Sequence, residues 1–87
     1  KDVPPFIIAA REPISYCGIN SVGLNRRAFT QEQITAIQNT YRILYLSGLN
    51  VSQAVEQIET TLPQSPERDL ILDFVKASPR GIVRGYN

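Results

Sequence analysis

Apolar side chains recur every three or four positions through Ile34, Ile37, Tyr41, Leu44 and Tyr45, the spacing that lays one stripe along an α-helix. Thr30 stands at the head of this run, with Gln33 three residues later, which is the pattern of a capping box. Phe29 before the cap and Ile34 inside it are placed for a hydrophobic staple. Gly48 supplies the stop, so the pattern predicts a helix over 31–47. Asn50 and Gln53 repeat the cap chemistry ahead of Val51, Ala54, Val55, Ile58 and Leu62, and Pro63 closes that element, predicting a helix over 51–61. Ser65-Pro66 is an N-cap followed by proline at the first helical position, where a missing N–H costs little. The fourth helix then runs over 66–77 with Leu70, Ile71, Phe74 and Val75 inward, and Ser78-Pro79-Arg80-Gly81 ends it. The tail from Ile82 to Asn87 reads as loose.

The first part of the chain follows a different pattern. Pro4 and Pro5 remove two backbone donors and force extended geometry, and the short apolar run Phe6–Ala10 fits a buried strand. Such a strand has no partner in a chain otherwise rich in helix signals. Residues 11–17 read as a connector around Pro13 and Ser15. Asn20 is then an N-cap for a short helix over 21–27. Gly23 inside that helix costs up to about 1 kcal/mol relative to alanine, which points to close backbone approach at this position.

With 87 residues the chain is one domain or a piece of one. A chain of this size buries only about 60–65% of its unfolded surface, so its stability without a partner is marginal. Its hydrophobic fraction of 43% argues against disorder. No apolar run approaches the ~18 residues that would cross a membrane, and no leader is visible. The single cysteine, Cys17, cannot form an internal disulfide and reads as a small buried hydrophobe. The chain contains no histidine, which removes the commonest general base near neutral pH and the commonest metal ligand. No metal site and no cofactor are expected.

The net charge of +1 is unevenly spread: residues 1–50 carry +2, residues 51–75 carry −4 and residues 76–87 carry +3. An anionic partner would therefore prefer the first half or the tail. The helix–turn–helix spacing around Gly48 does not make a DNA reader, because its second helix carries Glu56 and Glu59 and no basic residue. Glu67, Asp69 and Asp73 sit near the start of the fourth helix, where acidic side chains are favoured by the helix dipole without any chemistry of their own.

The segment from Asn20 to Arg27 carries the most information. Arginine offers a planar fork of donors matched to phosphate. Arg26 and Arg27 lie about 100° apart around a helix, so they cannot both face one ligand squarely. On the residues alone, a solvated arginine pair stands beside the reading in which one of them meets a ligand and the other an interface.

Two stretches together resemble a known family. Asp2-Val3-Pro4-Pro5-Phe6-Ile7-Ile8-Ala9 is similar to the last rung of the left-handed parallel β-helix in acyl-carrier-protein–UDP-N-acetylglucosamine O-acyltransferases. Gly18-Ile19-Asn20-Ser21-Val22-Gly23-Leu24-Asn25-Arg26-Arg27-Ala28-Phe29 is similar to the segment that follows the β-helix in that family. Tyr41–Tyr45, Ser47-Gly48, Leu72-Asp73-Phe74 and Ser78 with Arg80-Gly81-Ile82 continue the resemblance to the family's C-terminus. The sister N-acyltransferases share the β-helix but differ in this part.

The resemblance implies an all-α fold class: a small four-helix C-terminal domain over 11–87, preceded by residues 1–10 as the exit strand of a β-helix. It implies a cytoplasmic homotrimeric acyltransferase acting at the first step of lipid A synthesis. That enzyme moves a 3-hydroxyacyl group from acyl carrier protein to the 3-hydroxyl of UDP-N-acetylglucosamine, using a histidine in the β-helix as base. It implies further that Asn20, Arg26 and Arg27 bind the UDP-sugar and that Arg27 and Arg42 contact acyl carrier protein. The resemblance places no catalytic residue in these 87 residues. Val22 departs from the pattern, since some members carry a nucleotide-binding glutamate there and valine accepts no hydrogen bond. The competing reading is a free-standing, non-catalytic helical module that docks a protein. It accounts for the amphipathic helices but not for the apolar strand in front of them.

Overall fold

A computed structural model describes residues 2–10, 15–78, 81–82 and 84–85, with the side chains of residues 15, 84 and 85 outside the description. The elements in chain order are β1 (Ile7–Ala10), β2 (Ser15–Ile19), α1 (Ser21–Arg26), α2 (Gln31–Leu46), α3 (Val51–Thr61), α4 (Pro66–Lys76) and β3 (Arg84–Gly85). The predicted helices end within a residue of these bounds because their signals are local. The Thr30 hydroxyl accepts from the Gln33 N–H at 3.1 Å while the Gln33 carboxamide accepts from the Thr30 N–H at 2.7 Å. Asn50 and Gln53 form the same reciprocal box at 2.9 and 3.3 Å, and Ser65 caps α4 by accepting from the Arg68 N–H.

The expectation of an all-α domain is corrected by a small sheet ordered β1-β2-β3. The apolar strand is not alone: β1 pairs antiparallel with β2, setting Ile7 opposite Ile19 and Ala9 opposite Tyr16. Residues 15–17, expected in a connector, belong to β2. One extra β2 residue is accommodated between those pairs, and Gly18 sits there with a φ of +110°, a backbone conformation that only glycine adopts cheaply. The bulge leaves Cys17 exposed rather than buried. The tail is also not loose where it is described: Ile82 is buried and bridges Asp2, while β3 runs parallel to β2. Residues 1, 11–14, 79, 80, 83, 86 and 87, which include parts of the predicted connector, terminator and tail, lie outside the described residues.

The core sits where α2 meets α3 and α4. Ile37, Tyr41, Ala54, Ile58 and Ile71 are fully buried there, with Leu44, Leu72 and Val75 beside them. Leu70, expected inward, is 51% exposed because Ile71, Leu72 and Val75 are the α4 side chains turned into the core. Thr40 is buried without cost, since its hydroxyl donates to the Ala36 carbonyl at 2.7 Å. Lys76 and Glu59 join α4 to α3 at 3.0 Å, but both are exposed and such pairs contribute about 0–1 kcal/mol.

The sheet is fastened to α2 by aromatics. Tyr16 of β2 stacks on Tyr45 with ring centroids 4.2 Å apart and planes 9° from parallel, and Tyr41 lies one helical turn back against both. The Tyr41 hydroxyl donates to the Pro5 carbonyl, tying the N-terminal segment to the core. Burial raises the Tyr41 and Tyr45 hydroxyls well above the ordinary phenol range, and the neighbouring tyrosines raise them further.

Candidate functional site

β2 ends at Ile19 and hands the chain directly to Asn20, the N-cap of α1. The Asn20 backbone N–H donates to the Phe6 carbonyl at 2.7 Å, and its side-chain oxygen accepts from the Gly23 N–H at 3.1 Å. Both ends of this residue are therefore held. Leu24, only 2% exposed, pins α1 to the body of the domain.

α1 stops through a complete Schellman arrangement. The Ala28 N–H donates to the Asn25 carbonyl and the Phe29 N–H to the Leu24 carbonyl, each at 3.1 Å. Ala28 takes the left-handed position that glycine usually fills, with a φ of +60°. Removing its Cβ relieves that strain, so Ala28→Gly is expected to stabilise the domain by about 0.5–1 kcal/mol, read as an increase in denaturation midpoint. An unchanged or lowered midpoint would show that the left-handed alanine carries no penalty here.

Two helical turns on from Asn20, Arg27 returns to the same face of α1, its N–H donating to the Gly23 carbonyl at 3.1 Å. Phe6, Ile7, Asn20, Gly23, Leu24 and Arg27 line one cleft of about 140 Å³. Phe6 itself holds a φ of +70°, and its ring meets Phe29 edge-on with centroids 5.8 Å apart. Of the residues expected at a site, the structure brings Asn20 and Arg27 together. Arg26 is exposed and does not line this cleft, and neither does Arg42, which stands on an exposed position of α2. Val22 is 64% exposed on α1, also outside the lining. Sequence reasoning missed Phe6 and Ile7 as walls of the cleft, because nothing local places β1 beside α1.

Chemically the cleft offers one guanidinium, one carboxamide whose oxygen is already engaged, and apolar walls. Such a set suits an anionic or oxygen-rich ligand with an apolar or ring component. It holds no group that could serve as a base near neutral pH. Among the described residues, no group of three or more histidine, cysteine, aspartate or glutamate side chains could hold a metal ion. In α4 the Asp69 carboxylate is engaged otherwise. Asp69 accepts from Gln64 at 3.1 Å and from Arg68 at 2.9 Å, and these bonds hold its carboxyl below the usual range. A larger, mostly apolar groove of about 300 Å³ lies between α2 and residues 62–68. Its one cation, Arg68, is already tied to Asp69 and to the Leu62 carbonyl.

Residues 2–83 match the family model described as "Udp N-acetylglucosamine O-acyltransferase; Domain 2". The chain belongs to this family. Among its relatives, the acyl-[acyl-carrier-protein]–UDP-N-acetylglucosamine O-acyltransferase of Thermodesulfovibrio yellowstonii is 40% identical over 84 residues, covering 97% of this chain and 33% of that protein. The enzyme of the same name from Chlorobaculum tepidum is 49% identical over 74 residues, covering 84% of this chain and 28% of that protein. The crystal structure of a UDP-N-acetylglucosamine acyltransferase from Bacteroides fragilis superposes with a TM-score of 0.93 at 56% identity, over 97% of this chain and 33% of that one. The chain thus spans about a third of the length of these O-acyltransferases. No helix among the described residues is long and apolar enough to cross a membrane.

Proposed function

We propose that, in a polypeptide of the family's full length, this domain helps an O-acyltransferase hold UDP-N-acetylglucosamine while a 3-hydroxyacyl group passes to the sugar's 3-hydroxyl from acyl carrier protein. The reaction is the first step of lipid A synthesis, in the cytoplasm. The observation that carries this reading is the convergence of Asn20 and Arg27 on one cleft in a chain whose relatives bear that substrate in their names. Arg27 is the group suited to the diphosphate, since a guanidinium fork meets two phosphate oxygens at once. Asn20 is the group suited to a sugar or phosphate oxygen. Arg26 and Arg42, both exposed and outside the lining of the cleft, are suited to the approach of acyl carrier protein, a contact between exposed charges that would act over roughly a Debye length, ~8 Å in physiological salt.

The chemistry itself belongs to the part of the family's length that precedes this domain. A catalytic histidine there fits the absence of histidine from these 87 residues. In this reading residues 1–10 form the exit from the left-handed β-helix, and that β-helix assembles the homotrimer. The test is a transfer assay with hydroxyacyl–acyl carrier protein and UDP-N-acetylglucosamine. The full-length polypeptide should form acylated UDP-sugar, and the 87-residue domain alone should show no turnover above background. A missing general base alone costs roughly 10²–10⁴-fold. Turnover by the pure domain would contradict the division of labour, and an inactive full-length polypeptide would contradict the function.

A further inference from the structure

We infer that Gly23 is a positioning residue for the sugar-nucleotide site: its missing side chain lets the Asn20 carboxamide fold back over the first turn of α1 with its NH2 group left to the ligand. The inference rests on the proposed reading of the cleft and adds to it the direction of one contact.

Gly23 is not required by its backbone. Its φ is not among the positive values of this chain, and glycine in a helix costs up to about 1 kcal/mol relative to alanine. What glycine provides is space. A Cβ at this position would lie 2.7 Å from Asn20 Nδ2, 3.0 Å from Cγ and 3.2 Å from Oδ1, so any other residue must displace the carboxamide.

The orientation of that carboxamide follows from donor and acceptor chemistry. The Gly23 N–H is a donor, so the atom it meets at 3.1 Å is the amide oxygen. The NH2 group makes no hydrogen bond to the described residues, and Asn20 and Gly23 both line the cleft with Arg27. Capping alone does not explain the choice, since serine or aspartate caps a helix about as well as asparagine. Neither of those presents an NH2 group. Asn20 therefore acts as a donor, and the ligand atom it meets is an oxygen acceptor.

The experiment uses full-length enzyme and reads the Michaelis constant for UDP-N-acetylglucosamine together with kcat and thermal stability. Asn20→Asp keeps the cap, removes the donor and should raise KM at least tenfold, the scale of one lost hydrogen bond plus a new repulsion. Gly23→Ala should raise KM by roughly five- to tenfold in the parent but less than about twofold in the Asn20→Asp background, because its effect travels through the carboxamide. Should Gly23→Ala melt early, the Asn20→Ser/Gly23→Ala pair restores a short cap that clears the new Cβ. Its stability should recover while KM stays high, whereas a parental KM would overturn the inference. An equal effect of Gly23→Ala in both backgrounds, or none while Asn20→Asp raises KM, would overturn the positioning role alone. If Asn20→Asp and Arg27→Ala both leave KM parental, the cleft is not the sugar-nucleotide site and the inference falls with it.

Discussion

Raising the pH above about 10 should unfold this domain cooperatively, with the phenolate absorbance of Tyr41 and Tyr45 appearing only as helical circular dichroism is lost. Tyr41 is fully buried and Tyr45 half-buried, and both hydroxyls are raised above the ordinary value of 10.0, by burial first and by neighbouring tyrosines second. The stabilisation from keeping them protonated is therefore complete below pH 10 and declines as pH climbs, because the unfolded chain releases protons that the folded chain retains. Each such tyrosine costs about 1.4 kcal/mol of stability per pH unit in that window. Two of them remove nearly 3 kcal/mol per unit from a domain whose single core supplies on the order of 3–5 kcal/mol. The alkaline midpoint should fall between about pH 11 and 12, and Tyr45→Phe should move it upward by lightening the proton release. Signals from Tyr41 or Tyr45, resolved by comparison with the Tyr→Phe variants, that titrate near 10 with the helices intact would show that the tyrosine stack admits water.

Arg27→Ala in the full-length enzyme should raise KM for UDP-N-acetylglucosamine by roughly 10–150-fold, the loss expected for a charge-assisted contact worth about 1.5–3 kcal/mol. Arg27→Lys should recover only part of this, because an ammonium cannot span two phosphate oxygens in the plane that guanidinium does. Arg26→Ala should have the smaller effect on this substrate, since Arg26 does not line the cleft. Its effect on acyl carrier protein should shrink with added salt if the contact is between exposed charges. Steady-state kinetics with each substrate varied in turn separates these outcomes. Equal, small changes for Arg26→Ala and Arg27→Ala would mean that the pair is solvated and that the cleft's geometry is incidental.

The sequence showed most clearly what is settled within a few residues. Thr30 with Gln33, Asn50 with Gln53 and Ser65 with Pro66 start their helices by contacts spanning three residues, so their positions could be read directly. The sheet could not be read, because its partners are far apart along the chain: β2 joins Ile7–Ala10 on one side and Arg84–Gly85 on the other. Gly18 was visible as a glycine but not as the bulge that turns Cys17 outward. In α4 five adjacent or near-adjacent apolar residues compete for one inward stripe, and only packing against α2 decides that Leu72 wins and Leu70 does not.

The candidate site divides the same way. The roughly 100° between neighbouring helix positions keeps Arg26 and Arg27 from facing one ligand together, and Arg27, not Arg26, lines the cleft with Asn20. Helical periodicity makes that choice, since Asn20, Gly23 and Arg27 recur on one face of α1, whereas no local pattern places Phe6 and Ile7 in the same lining. Gly23 was legible as a place of close approach, but its neighbour turned out to be the Asn20 side chain rather than another element.

The most direct measurement is a crystal structure of the full-length enzyme with UDP-N-acetylglucosamine bound. The account predicts the Arg27 guanidinium and the Asn20 NH2 group within hydrogen-bonding distance of ligand oxygens, about 2.7–3.2 Å, with Gly23 beneath the carboxamide. A sugar nucleotide bound elsewhere, with neither Asn20 nor Arg27 touching it, would contradict the account.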